Sequence, residues 1–119
     1  MTTQQAEQHS ERNNVGIRPW AEVEEAHRAL AAVGEGTTQQ TQLSRGALTG
    51  YLWALGRGDV APVTGAAVTG APDLSLLTAE TDAAAVQLED ATQRTVPRDY
   101  IQGVYAALAW ICGHSEQRP

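Results

Sequence analysis

The stretch GALTGYLWALGRGDVAP at residues 46–62 is matched, 57 positions later, by GVYAALAWICGHSEQRP at residues 103–119. The identical pairs are Gly46/Gly103, Trp53/Trp110, Gly56/Gly113 and Pro62/Pro119. Each stretch carries a Trp in the last turn of a predicted helix, followed by a glycine that can adopt the left-handed backbone that closes helices. The pattern predicts helix ends near residues 55 and 112. Two origins stay open, an internal duplication or a chance similarity between two amphipathic helices.

The apolar spacing on either side of these stretches predicts four helices. They run from about Pro19 to Val33, Thr38 to Leu55, Leu74 to Gln93, and Pro97 to Cys112. Asp73 is the predicted N-cap of the third helix, which could instead begin later, behind Thr78 or Thr81. Two helix pairs with the same ending predict an all-α fold of about four helices in an antiparallel bundle-like arrangement, with two similar helix-pair halves.

The length of 119 residues is that of one domain. Residues 1–16 are polar and have almost nothing to bury, so we expect a disordered N-terminal tail. The remaining residues, 17–119, are predicted to form a single helical domain, with a first helix pair at 17–56 and a second at 74–119. A turn-rich linker at 57–73 contains PVTGA followed directly by AVTGA. Its Thr-Gly turns allow an ordered loop, a short hairpin or a mobile linker.

Two glycines, Gly46 and Gly50, lie inside the second predicted helix, four residues apart on one face. Each costs about 1 kcal/mol relative to Ala in a helix interior. One interpretation is that another helix approaches closely at this face. The other is a tolerated imperfection of the helix.

Four aromatic residues form the candidate interaction surface: Trp53, Trp110, Tyr51 and Tyr105. Trp and Tyr are favoured anchors at protein interfaces, and both Trp residues lie off the main apolar stripes or at their edge. The sequence therefore predicts a protein partner or self-association through these side chains. The alternative is that both Trp residues pack in the core.

The charge balance disfavours nucleic acid as a general partner. The net charge is −6, and all eight basic residues are Arg. A nucleic-acid surface needs many cations to neutralise phosphates. A local site stays possible, because polar residues at the start of the second helix, Gln42 and Arg45, resemble the base-reading end of a helix-turn-helix recognition helix. A small DNA-binding regulator is therefore the alternative function.

No motif in the sequence indicates a cofactor, a metal site or a catalytic centre. The histidines and the single cysteine have no metal-ligand spacing. Cys112 and His114 could form a nucleophile–base pair only through the fold, and a buried structural cysteine is the favoured interpretation. We therefore expect a protein that is not an enzyme, binds no cofactor and has no identified small-molecule ligand.

The location expected from the sequence is the cytoplasm. One cysteine cannot form an intrachain disulfide, which favours a reducing compartment. The polar N-terminus has no apolar region typical of a secretory signal. No apolar stretch approaches the roughly 20 residues that span a bilayer, so no membrane association is expected.

Two stretches, PRDYIQGVYAALAWICG (97–113) and YLWALGRGDVAPVTGA (51–66), resemble small uncharacterised accessory proteins of actinobacterial plasmids, integrated elements and phages. The resemblance covers about the C-terminal two-thirds of the chain and rests on helix ends and a Pro-Val-Thr-Gly turn. It implies an accessory protein of a mobile genetic element and carries over no functional residues. Together with the residue patterns, it predicts a non-enzymatic helical protein-interaction module that forms a homo-oligomer.

Overall fold

The structure is a computed structural model that describes residues 14–35, 41–67, 70–90 and 97–119. Within these residues the chain forms a two-stranded hairpin and four helices. The strands are β1 (Asn14–Val15) and β2 (Arg18–Pro19), and the helices are α1 (Trp20–Glu35), α2 (Gln42–Ala54), α3 (Leu74–Glu89) and α4 (Arg98–Cys112). The four helices pack against one another, which confirms the predicted all-α class.

Side-chain caps set the observed starts of α2 and α3. The Thr41 side chain accepts a hydrogen bond from the backbone N–H of Ser44 at 3.1 Å, so α2 begins later than the predicted Thr38. The Asp73 carboxylate accepts from the N–H of Leu76 at 2.9 Å, which confirms the predicted cap. The remaining predicted portions of these helices, at 38–40 and 91–93, lie outside the described residues.

Each helix pairs with its neighbour in the chain in an antiparallel sense. The Arg57 guanidinium, just after the end of α2, donates to the Glu24 carboxylate near the start of α1. At the other pair, the Arg98 guanidinium at the start of α4 donates to the carbonyl oxygen of Leu88, in the last turn of α3, at 2.6 Å. These contacts define two helix pairs, α1/α2 and α3/α4.

The two pairs meet where α2 crosses α4 with their backbones in contact. A Cβ added to Gly46 would lie 1.9 Å from the carbonyl oxygen of Tyr100, and one added to Gly103 would lie 2.0 Å from that of Leu43. Only glycine fits at either position, so the close-approach interpretation of Gly46 is confirmed. Gly103 is 57 positions after Gly46, and Tyr100 is 57 after Leu43, so the contact is reciprocal with the offset of the sequence repeat.

The two repeated helix ends also have the same geometry. Both glycines, Gly56 and Gly113, have φ of 81°. Arg57 donates its N–H to the carbonyl of Leu52 at 2.8 Å, and His114 does the same to Ala109 at 2.8 Å. This is the hydrogen bond of a Schellman motif, in which a left-handed residue lets the chain satisfy the last helical carbonyls. The pattern therefore identified both helix ends correctly.

The hairpin β1–β2 includes Asn14 and Val15, which belong to the predicted tail of residues 1–16, and α1 begins one residue after the predicted Pro19. Val15 is buried, and Ile17 donates its N–H to the carbonyl of Ile111 at 3.0 Å. The Arg18 guanidinium donates to the carbonyl of Trp110 at 2.8 Å. These residues order because they bind the last carbonyls of α4, a partner far away in the chain. Residues 1–13 lie outside the described residues.

In the linker, the described residues form an ordered loop tied to α3. Val60 and Ala67 form an isolated antiparallel bridge. The buried Glu80 carboxylate accepts hydrogen bonds from the N–H of Val63, from the N–H of Thr64 at 2.9 Å and from the Thr64 hydroxyl at 2.9 Å. Three donors stabilise the charge of a carboxylate that has almost no access to water. Glu80 therefore fixes the loop against α3.

Candidate functional site

Three of the four aromatic residues predicted as an interaction surface are buried. Tyr51 is 0%, Trp53 2% and Trp110 3% exposed. The Tyr51 and Trp110 rings meet edge to face with centroids 6.3 Å apart, and the Arg18 guanidinium lies 4.7 Å from the Trp110 ring centroid. Core packing therefore replaces the expected exposed surface at these positions. The alternative expectation, that Trp53 and Trp110 pack in the core, is therefore confirmed.

Tyr105, the fourth aromatic residue, lines a cleft between α2, α4 and the segment after α4. The cleft has a volume of about 420 Å³. Its walls are formed by Leu43, Gln102, Tyr105, Ala106, Ala109, Ser115, Gln117, Arg118 and Pro119. Leu43 is 45% exposed there, although α2 is in backbone contact with α4 at the adjacent turn. The surface of the cleft is thus mainly apolar, with polar residues among those that line it.

Arg118 is the one ionised side chain among the residues that line the cleft. The described residues contain no ion pair to its guanidinium. Its charge also reaches the buried Tyr51 phenol, whose pKa burial raises far above its usual range while Arg118 acts in the opposite direction. The Tyr51 hydroxyl has no hydrogen-bond partner among the described residues. The cleft therefore combines a cation, neutral donors and apolar walls with Pro119, the last residue of the given sequence.

The residues of the DNA-binding alternative lie in the first turn of α2. Gln42 and Arg45 are both exposed and neither lines the cleft. The Thr49 hydroxyl donates a hydrogen bond to the backbone carbonyl of Arg45 at 2.8 Å. Both side chains can therefore contact a ligand, but α2 carries no basic residue besides Arg45.

The Cys112 thiol is enclosed between α3 and α4. Its sulfur lies 3.6 Å from the Thr81 hydroxyl and 4.0 Å from that of Thr78. His114 is exposed at the end of α4, and no hydrogen bond joins it to Cys112 in the part of the chain that the structure describes. The two residues therefore do not form a prearranged nucleophile–base pair.

A second group of titratable residues lies where α1 meets the end of α2. The hydrogen bond from Arg57, with its positive charge, holds the pKa of Glu24 below its usual value against a smaller effect of desolvation. Burial lowers the pKa of His27, and the charge of Arg57 lowers it further. These residues join the first helix pair and enclose no cleft with the described residues around them. Within the described ranges, no three His, Cys, Asp or Glu side chains cluster as metal ligands would.

The sequence did not reveal the cleft because its residues come from three separate segments. Leu43 lay in a predicted helix face, and Arg118 in the segment after the last helix, so no local pattern joined them. The one available signal was the 57-residue offset of the repeat. It pairs Leu43 with Tyr100, and the backbone carbonyls of these two residues meet the glycines where α2 crosses α4.

No family model, curated protein or solved structure matches the chain. None of the described helices has the length and apolar character needed to cross a membrane.

Proposed function

We propose that this chain is a non-enzymatic helical interaction module that binds a protein partner through the cleft between α2 and α4. The observation that carries the proposal is the cleft itself. Its volume of about 420 Å³ lies in the range of ligand sites, and it exposes Leu43 beside Tyr105. An aliphatic side chain next to a Tyr is a typical core of a protein contact.

The helix crossing supports a preformed site. Gly46 and Gly103 bring the two helix backbones into contact directly beside the cleft. Walls fixed in this way do not have to order when a partner binds, so less of the binding free energy is lost to conformational entropy.

Self-association is part of the same proposal. Large apolar side chains are exposed at Val33, Leu76 and Val86, and a second copy of the chain would remove them from water. The resemblance of the C-terminal two-thirds to accessory proteins of mobile elements supports a role as a cytoplasmic accessory protein of a phage or plasmid.

Photo-cross-linking from the cleft tests the proposal. The full chain would carry benzoylphenylalanine in place of Tyr105, with the same group in place of the exposed Glu22 on α1 as the matched control. We expect a defined adduct from position 105 that is absent from position 22. Its mass separates a second copy of the chain from another protein. Identical adducts at both positions, or none at 105, would contradict the proposal.

DNA binding by α2 is the alternative, supported by the exposure of Gln42 and Arg45. A gel-shift with the flanking DNA at low salt, comparing the wild-type chain with Arg45→Ala, tests it. A shift that depends on Arg45 would favour the regulator over the interaction module. Absence of a shift at all salt concentrations would remove the alternative.

A further inference from the structure

We infer that the hairpin β1–β2 regulates the cleft: while it is seated on α4 it holds one wall of the cleft in place, and its release loosens that wall. This inference rests on the proposed function and names the regulation of the same site. The hairpin contributes no residue to the lining of the cleft. The coupling between them therefore runs through the end of α4.

The backbone of the hairpin fits the end of α4 closely. Val15 is buried, and the N–H of Ile17 donates to the carbonyl of Ile111 at 3.0 Å. Gly16 has a φ of 61°, and a Cβ added to it would lie 2.5 Å from the same carbonyl oxygen. A side chain at position 16 would therefore push the hairpin away from α4.

Arg18 extends this contact to a wall of the cleft. Its guanidinium lies 4.7 Å from the Trp110 ring centroid. Its Nε donates to the Trp110 carbonyl at 2.8 Å, and its Nη2 donates to the Ser115 carbonyl at 3.1 Å. Ser115 lines the cleft and begins the segment that continues to Pro119. The planar guanidinium has its donors in a rigid arrangement, so Arg18 fixes where this segment leaves α4.

The wall at residues 115–119 has few other attachments. The Ser115 N–H donates to the Ala109 carbonyl at 3.3 Å. The Gln117 N–H donates to the Ser115 hydroxyl at 3.1 Å, a contact inside the wall itself. Within the described ranges, the bond from Arg18 is the one side-chain hydrogen bond that joins the wall to a distant part of the chain. Without it the wall has to order when a partner binds, and this ordering weakens binding.

Backbone order parameters from ¹⁵N relaxation of the full chain test whether the hairpin holds the wall. In Arg18→Gln, the value for Gln117 should fall from near 0.85, typical of rigid backbone, to below about 0.6, while Leu108 within α4 stays rigid. Gly16→Ala displaces the hairpin without touching the wall and should have the same effect. Arg98→Gln is the matched control, because Arg98 also donates its guanidinium to a carbonyl in the last turn of a helix. It should leave both values unchanged.

Partner binding gives the second measurement. The affinity for the partner captured from position 105, measured by titration of the cross-link, should fall about 10-fold in Arg18→Gln and Gly16→Ala. This is the lower end of the range for a charged hydrogen bond, and Arg98→Gln should keep the wild-type affinity. Because coupling between two sites is reciprocal, the bound partner should in turn slow hydrogen exchange of the Ile17 N–H, which lies outside the cleft.

Several results would overturn the inference and leave the proposed function standing. One is a wall that stays rigid in Arg18→Gln or Gly16→Ala, and another is a wall that loosens while the affinity is unchanged. If α4 loses order together with the wall, or if Arg98→Gln has the same effect, Arg18 stabilises the fold as a whole and does not regulate the cleft. If the wild-type chain gives no adduct from position 105, the proposed function fails and its regulation fails with it.

Discussion

Replacing Gly46 or Gly103 by Ala is expected to force α2 and α4 apart. The added Cβ would lie 1.9 Å from the Tyr100 carbonyl oxygen in the first case and 2.0 Å from the Leu43 carbonyl oxygen in the second. Real Cβ atoms essentially never come within 3.0 Å of such a neighbour, so the helices must separate by roughly 1 Å at the crossing. Neither obstacle is a side chain, so no rotamer change can relieve the contact.

The expected magnitude is the difference between two opposing effects. Removing a glycine from a helix interior gains about 1 kcal/mol of helix propensity. Overpacking costs about 1–3 kcal/mol, and backbone contacts that cannot relax belong at the upper end of this range. We therefore expect each variant to lose about 2 kcal/mol of unfolding free energy. Gly50→Ala is the matched control, because its Cβ would lie 3.3 Å from the Ala107 Cβ, and the two effects should cancel to within about 0.5 kcal/mol.

Urea unfolding followed by circular dichroism measures these differences, with the slope against urea unchanged and the midpoint lowered. The double variant should lose less than the sum of the single losses, because the first Cβ already separates the helices and makes room for the second. Single variants that stay within about 0.5 kcal/mol of the wild type, or that match Gly50→Ala, would refute the backbone contact.

Three further outcomes test other contacts. Tyr51→Phe should raise stability by about 1 kcal/mol, because it removes a buried hydroxyl that has no partner among the described residues; a loss in urea unfolding would mean that the hydroxyl is satisfied. Glu80→Ala should lower the free energy of unfolding by about 2 kcal/mol and make the loop around Thr64 more sensitive to proteolysis, because the hydrogen bonds to Glu80 are lost. An unchanged cleavage rate would argue against these hydrogen bonds. Burial lowers the pKa of His27 in the folded chain below the usual value of 6.5, so the unfolded chain binds the proton more readily. The free energy of unfolding should therefore fall as the pH drops through 6.5 towards the pKa of the folded chain. His27→Gln should reduce that fall, as measured by urea unfolding at a series of pH values.

Local signals predicted what depends on neighbouring residues. Gly56 and Gly113 close their helices as the repeated pattern indicated, because a left-handed glycine acts on carbonyls within one turn. Asp73 caps α3 for the same reason. The two helix pairs followed from helix length and short connections, so the antiparallel arrangement of neighbours also required no distant information.

Features that depend on distant residues could not be predicted in this way. The hairpin forms because Ile17 and Arg18 bind carbonyls of α4 more than 90 positions away. Gly46 left two interpretations open, since the partner that requires a glycine there is the Tyr100 carbonyl on another helix. Trp110 is covered in part by a residue equally far away in the chain, because the Arg18 guanidinium lies 4.7 Å from its ring centroid.

The repeat itself provides the sharpest test of whether the cleft is functional. Tyr105 lies in the cleft, and the residue 57 positions before it is Leu48, so Tyr105→Leu gives α4 the side chain that α2 carries at the equivalent position. Tyr105 is half-buried, and no hydrogen bond to its hydroxyl occurs among the described residues, so unfolding free energy should change by less than about 0.5 kcal/mol. Binding of the partner identified by the cross-link from position 105 should weaken, because the aromatic contact and its hydroxyl are lost. A variant that loses stability but keeps its affinity would assign Tyr105 to the core and remove it from the binding site.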